Sequence, residues 1–285
     1  MNKINEAMAY ATEKHKNQRK KIIGEPYINH IIDVANILKE NGADEETIIV
    51  GILHDTLEDT DATYSEIKNL FGKKIADMVK IESELKELPY KQRKAEHMKR
   101  VRKSSYNTKL VNCADKVSNL KSMIRIYKKG KEDIWKWFSG SKEDIIWYYT
   151  LALGALKEVS DKKVYQDFCK LYKKMFNKEI IYANLLTDKE IRDLFDKIVP
   201  QDNINWYDRL EISRYENYTN IVAWSVCDYT MSIELYNHKA EVSGIRSNGS
   251  INDNYIKEMY KIFGKAFKDD YLKAVDEHFW EDHEL

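Results

Sequence analysis

Proline and glycine are scarce. The 285 residues include 3 Pro and 10 Gly, too few for the many tight turns of an all-β sandwich or barrel, so long helices are favoured. Cysteine is scarce as well. Three residues, an odd and small number, exclude a disulfide framework and suit a reducing compartment. No apolar run approaches the ~20 residues of a membrane span, and residues 1–7 carry no apolar signal core. Net charge is missing too: 47 Lys and Arg balance 47 Asp and Glu, where a generic nucleic-acid binder carries a strong basic excess. These absences predict a soluble, cytoplasmic, mainly α protein with no membrane association and no generic nucleic-acid binding.

What is present is helical periodicity. Ile4, Met8, Ala11 and His15 form one apolar stripe, and Ile31, Val34, Ala35 and Leu38 form another after Pro26. Ile48, Ile49, Ile52, Leu53 and Leu57 form a third, with Asp44 as its predicted N-cap and Thr47 in the first turn. Ile67, Leu70, Phe71, Ile75, Met78 and Val79 continue the pattern around Gly72. Leu110, Val111, Ala114, Val117 and Leu120 mark a further helix, and Trp147, Leu151, Gly154 and Ala155 mark one more. Residues 1–180 read as an all-helical domain.

The texture then changes. Residues 200–205 read as a linker, 220–228 and 229–236 as two strands paired across Cys227-Asp228, 243–254 as a loop, and 255–279 as a closing helix. Residues 200–285 are therefore expected to form a small α+β accessory unit of unknown role, suited to contacts with a protein partner or a second copy of the chain.

Charge is also unevenly spread. Between residues 86 and 131, 15 Lys and Arg stand against Glu87, Glu96 and Asp115. That stretch reads either as a solvated helix face or as a lip attracting a phosphorylated small molecule. The aromatic group Trp135, Trp137, Trp147, Tyr148 and Tyr149 sits at helical spacing and reads as core or partner contact rather than a base-stacking platform.

The strongest chemical signal is Leu53-His54-Asp55-Thr56-Leu57-Glu58-Asp59. Adjacent His and Asp side chains leave a helix about 100° apart and can converge on one ion near its end. His30 lies upstream and Asp115 downstream. Two imidazoles and two carboxylates make a mixed nitrogen and oxygen set that suits Mn²⁺ or Fe²⁺ better than Mg²⁺, and no Cys-x-x-Cys supports a thiolate zinc site. Taken singly, each of these residues also has an ordinary structural reading, as a packed histidine or a surface acid. An unpaired carboxylate inside the apolar stripe around Asp115 would be costly, however.

Six stretches carry a resemblance. They are His15-Lys16-Asn17-Gln18-Arg19-Lys20-Lys21, Gly24-Glu25-Pro26-Tyr27-Ile28-Asn29-His30, the His54-Asp55 segment through Thr60, Phe71-Gly72, Leu88-Pro89 with Arg93-Lys94, and Ala114-Asp115-Lys116 followed by Asn119-Leu120. In this order they resemble the HD hydrolase domain of the RelA/SpoT family, over roughly residues 7–158 and closest to its stand-alone small alarmone hydrolases. The resemblance implies a Mn²⁺ site at His30, His54, Asp55 and Asp115, and an acidic pair, Glu58 and Asp59, that positions and activates the attacking water. It implies nucleotide contacts at Lys20 and Lys21, with Arg19 as a neighbouring substitute, and at Asn119 and Ser122. The implied reaction removes the 3′-pyrophosphate of guanosine tetra- or pentaphosphate, in stringent-response control or in countering a toxic alarmone synthetase. Hydrolysis of another nucleotide bearing a 2′- or 3′-phosphate, or a non-catalytic regulator, are the competing readings.

The chain departs from the family pattern at three places. Lys20 stands where the family usually has Arg, Asn112 where it has Lys, and Ser83-Glu84-Leu85-Lys86 where it has Thr-Asp-Asp-Lys. Lysine cannot stack on a base as a guanidinium does, so an adenosine 3′-pyrophosphate is an alternative substrate. Residues 200–285 do not resemble the family's synthetase domain.

Overall fold

The computed structural model describes residues 2–20, 22, 24–128, 132–178, 180, 182–196, 209–215, 218–225, 229–235 and 240–245. They fall into two compact units, Met1–Lys178 and Glu179–Leu285. In the first, α1 (Lys3–Lys14), α2 (Ile28–Glu40) and α3 (Glu45–Leu53) are followed by the single turn α4 (Thr56–Asp59). Then come α5 (Tyr64–Phe71), α6 (Lys73–Glu82), α7 (Tyr90–Lys103), the long α8 (Tyr106–Lys128), α9 (Lys142–Ala155) and α10 (Lys163–Phe176).

Local chemistry sets these boundaries. Asp44 caps α3, its carboxylate accepting from Thr47 N at 2.8 Å. Thr63 and Glu66 form a capping box at α5, and Ser141 and Asp144 form another at α9. The apolar stripe from Ile67 to Val79 is not one helix. Gly72 takes φ 93°, a left-handed value that favours glycine, and breaks the stripe into α5 and α6. The basic stretch hides α7, whose few apolar residues, Met98 and Val101, are buried among its cations.

Two helices lie at the centre. Residues Thr47 through Leu53 of α3 are buried on every side, and α3 packs against α1, α2, α6 and α8. α8 packs against α2, α3, α6, α7 and α10. A helix that is apolar all round belongs in a core, so the His54-Asp55 pair follows directly on a helix whose residues Thr47 to Leu53 are all buried. Gly51 makes the close approach of α2 and α3 feasible. A methyl group there would overlap Leu38 Cδ1 and press on Val34 Cγ1 at 3.4 Å.

The second unit holds α11 (Asp188–Asp196) and an antiparallel sheet of β1 (Arg209–Arg214), β2 (Thr219–Ser225), β3 (Tyr229–Leu235) and β4 (Ala240–Ile245), in the order β1-β2-β3-β4. The expected strand pair is β2 and β3, with Ser225 opposite Tyr229. β1 and β4 extend it. The expected loop from residue 243 is corrected here, because Ser243, Gly244 and Ile245 pair with Ser232, Met231 and Thr230 as the end of β4. Cross-strand pairing outweighs the weak strand preference of Ser and Gly at those positions. Arg192 donates to Leu210 O at 2.7 Å and Arg214 to Leu186 O at 2.9 Å, tying α11 and the turn before it to the sheet. The expected linker at 200–205, the Cys227-Asp228 turn and the closing helix at 255–279 lie outside the described residues.

Gly51→Ala should destabilise the protein. The helix-propensity gain of ~1 kcal/mol is smaller than the ~1–3 kcal/mol typical of overpacking a closed core, and Leu38, 1% exposed, has little room to turn away. Urea unfolding should give a lower midpoint than wild type. An unchanged or raised midpoint would mean that the α2–α3 contact does not depend on this glycine.

Candidate active site

The site is assembled from α2, the α3–α4 junction and α8. His30 sits in the first turn of α2 and His54 caps the end of α3. Each imidazole is fixed through Nδ1: His30 against Ser118 Oγ at 2.9 Å, and His54 by donating to Gly51 O at 2.8 Å. Both Nε2 atoms therefore point the same way. They are buried and have no hydrogen-bond partner.

Carboxylates converge on those two nitrogens. Asp115 Oδ1 is 3.1 Å from His30 Nε2 and 3.7 Å from His54 Nε2. His30, His54 and Asp115 offer ligand atoms that all lie within 4.8 Å of one another, a group able to hold a metal ion. Asp55 is not part of that three-residue group, although its Oδ2 is 2.8 Å from His54 Nε2 and 3.6 Å from His30 Nε2. Tyr27 donates to the same Asp55 oxygen at 2.6 Å. Asn119, one turn along α8, donates to Asp115 Oδ1 at 2.6 Å, and Lys116 pairs with Asp115 Oδ2 at 2.7 Å.

The electrostatics call for a cation. Burial alone would raise both carboxyls, and it is the largest single influence on each; His54 and His30 together outweigh it at Asp55, and Lys116, His30 and His54 together outweigh it at Asp115, holding each well below the usual carboxylate range. His54 is pushed well above its ordinary value, because Asp55 and Asp115 outweigh the burial that opposes its charge. Two orphaned imidazole nitrogens beside ionised carboxylates, each backed by a further hydrogen bond, fit a divalent cation of nitrogen and oxygen preference.

The acidic pair lies on α4. Glu58 Oε2 accepts from Glu84 N at 3.0 Å. Its carboxyl is pushed up to about 7 by burial, opposed by that N–H and assisted by the charges of Glu84, Asp55 and Asp59. Asp59 accepts from Gln18 at 3.3 Å and from Lys86 at 3.0 Å.

The residues expected to touch nucleotide are dispersed. Lys20 is half-buried; burial lowers its pKa, while the charges of Asp115 and Asp33 favour its charged form. Arg19 is exposed and makes a backbone bridge with Pro26. Ser122 is half-buried further along α8, and Lys21 lies outside the described residues. Of the aromatic group, Tyr148 and Tyr149 are core, whereas Trp137 and Trp147 are exposed.

Much of the basic stretch turns out to be paired inward. Arg93 and Lys94 bind Glu84, Arg100 binds the carbonyls of Lys80, Ile81 and Ser83, Lys109 pairs with Glu158, and Lys116 pairs with Asp115.

Sequence reasoning gave no role to Ser118, Tyr27, Gln18, Glu82 or Glu84. Ser118 was detectable, being three residues from Asp115 and so on its helix face. Glu82, buried and bonded by Asn112 Nδ2 at 2.7 Å, had no such signal. That bond also gives the departure at Asn112 a structural partner.

Comparison with known proteins agrees with this geometry. The HD domain model matches residues 7–145. A zebrafish (Danio rerio) protein named guanosine-3′,5′-bis(diphosphate) 3′-pyrophosphohydrolase MESH1 is 41% identical over 128 residues, covering 44% of this chain and 71% of that protein. An Aquifex aeolicus guanosine-3′,5′-bis(diphosphate) 3′-pyrophosphohydrolase is 41% identical over 123 residues, 42% of this chain but only 18% of its own length. A solved structure, described as a metazoan ortholog of SpoT that hydrolyses ppGpp, matches with a TM-score of 0.51 at 27% identity, over 61% of this chain and 96% of that one. With the ligand cluster and the relatives in agreement, the chain belongs to the HD-domain family, in its RelA/SpoT group.

Proposed function

We propose that this protein is a Mn²⁺-dependent hydrolase that removes the 3′-pyrophosphate from guanosine or adenosine 3′-pyrophosphates. The observation that carries the reading is the convergence of the buried Nε2 atoms of His30 and His54, which make no hydrogen bond, with the carboxylates of Asp115 and Asp55, beside an acidic pair on the next turn of chain. The naming of the zebrafish and Aquifex relatives supports the substrate class. Mn²⁺ is preferred for the mixed nitrogen and oxygen donors, and Fe²⁺ fits the same set. The reading makes residues 1–180 the catalytic domain and 200–285 an accessory unit. It assigns the protein to the cytoplasm, in keeping with the low cysteine count and with the absence, among the described residues, of any helix long and apolar enough to cross a membrane.

His30, His54, Asp55 and Asp115 would hold the cation, oriented from behind by Ser118, Gly51 O, Tyr27 and Lys116. When bound, the cation supplies Lewis acidity, making a nearby water acidic and drawing charge from a phosphoryl oxygen. Glu58, with a carboxyl near neutrality, accepts the proton of the attacking water. Asp59, held by Gln18 and Lys86, orients that water. Attack at the phosphorus attached to O3′ breaks the P–O3′ bond, releases pyrophosphate and leaves the ribose 3′-hydroxyl. Asn119, bonded to Asp115, and Lys20 are the residues this reading assigns to the 3′-phosphates, where a positive charge would offset that of the substrate.

Purified protein with Mn²⁺ should convert guanosine tetraphosphate or its adenosine analogue to the nucleoside 5′-diphosphate and pyrophosphate, read by chromatography. Release of inorganic phosphate instead would indicate a different nucleotide phosphohydrolase, and two intact substrates would end the hydrolase reading. Glu58→Gln should lower kcat by about 10²–10⁴-fold. Asp115→Ala should abolish Mn²⁺ binding in calorimetric titration, and an unchanged affinity would remove Asp115 from the site. Ser118→Ala, which frees the Nδ1 side of His30, should weaken Mn²⁺ binding by roughly 10-fold; full affinity would mean that His30 needs no such support.

A further inference from the structure

The segment between α6 and α7 is an irregular loop, yet it touches both members of the acidic pair. Glu84 N donates to Glu58 Oε2 at 3.0 Å. Two residues on, Lys86 Nζ bonds Glu58 O and reaches Asp59 Oδ1 at 3.0 Å. The loop's own backbone is held locally only at its start, where Ser83 N and Oγ bond Val79 O, and by the turn bond from Leu88 N to Leu85 O. The anchor is the Glu84 side chain, which runs the opposite way from its N–H. Its carboxylate is 8% exposed and accepts from Arg93 Nε at 2.8 Å and from Lys94 Nζ. Arg100 takes up the carbonyls of Lys80, Ile81 and Ser83 just before it. Burial would raise the Glu84 carboxyl, but His97 and Lys94 beside it outweigh burial and hold it well below the usual carboxylate range.

We propose that Glu84, clamped by Arg93 and Lys94 of α7, is a positioning residue that sets the orientation of the acidic pair Glu58 and Asp59. It does not contact the cation cluster directly and its carboxylate faces α7, so it acts through the loop. The proposal rests on the hydrolase reading for its kinetic readout and names Glu84 as an additional requirement of the same site.

Glu84→Gln keeps the shape and removes the charge that two cations grip. It should lower kcat about 10-fold or more, within the range of a misplaced general base, with KM for guanosine tetraphosphate and Mn²⁺ affinity unchanged. Arg93→Gln removes one grip from the outer side and should give the same split. If both act through one clamp, the double variant should lose no more than the worse single variant. Glu84→Asp, which keeps the charge, should recover part of the loss. Unchanged kcat in both single variants, or a rise in KM alone, would overturn the proposal. Should Glu84→Gln fail to fold in a thermal melt, Arg93→Gln decides by the same criteria.

Hydrogen exchange reads the clamp without substrate. Arg93→Gln should speed exchange at the Glu84 amide while α2 and α3 stay protected, and equal exchange would also overturn the proposal. A wild-type protein with no turnover would defeat the hydrolase reading alone, leaving exchange to decide the clamp.

Discussion

Everything at the site depends on how the two imidazoles are held. A neutral imidazole has one donor and one acceptor nitrogen, and the partner of one decides what the other can do. Ser118 Oγ and Gly51 O take the Nδ1 side of His30 and His54, so both Nε2 atoms are committed to the same small volume. Those partners come from the two most buried helices. Gly51 lies on α3, where its missing side chain also lets α2 approach, and Ser118 lies on α8 one turn from Asp115. The packing of the core and the geometry of the ligand cluster are thus the same constraint. A shift of α3 against α2 would move His54 and loosen the core together.

Charge follows a similar logic. The zero net charge of the chain conceals a basic segment, and the structure turns much of that segment inward. Lys116 faces Asp115, Arg93 and Lys94 face Glu84, and Lys86 faces Asp59. An ionised carboxylate in a buried place needs a counter-charge, and this site concentrates several of them. Tyr148 joins two of these pairs, with Lys94 Nζ 4.4 Å and Lys116 Nζ 5.3 Å from its ring centre. Arg93, Lys94 and Lys116 are therefore first of all supports of buried acidic groups.

The sequence made the first unit readable because its signals are local. A stripe of apolar residues, an Asp44 cap and a His-Asp pair after a fully apolar helix each need only neighbours along the chain. The candidate ligands and acidic residues could be named for the same reason, since each lies in a compact motif. What could not be read depends on distance in sequence. Gln18 meets Asp59 across 41 positions and His30 meets Ser118 across 88, and no periodicity announces either. The helix α7 was masked by charge, because its buried residues are few and its basic residues dominate the pattern. In the second unit, β1 and β4 lacked the β-branched density that marked β2 and β3, and only pairing with a neighbour defines them.

The stretch that departs from the family pattern is instructive in this light. Read along the chain, Ser83-Glu84-Leu85-Lys86 looks like the loss of an acidic position. In three dimensions its two charged residues have separate tasks. Glu84 turns its carboxylate toward α7 and its N–H toward Glu58, while Lys86 turns toward Asp59. Leu85 between them is 38% exposed and can vary without touching either bond. Asn112 behaves comparably: in place of a lysine it offers an amide to a buried carboxyl, Glu82, that burial pushes up to about 7. A long cation there would be matched to an ionised partner, whereas a neutral amide suits a carboxyl that shares its proton near neutrality. At Asn112 and at residues 83–86 the departures therefore change how buried or acidic groups are supported from behind, whereas Lys20 is the departure that bears on which nucleotide is accepted.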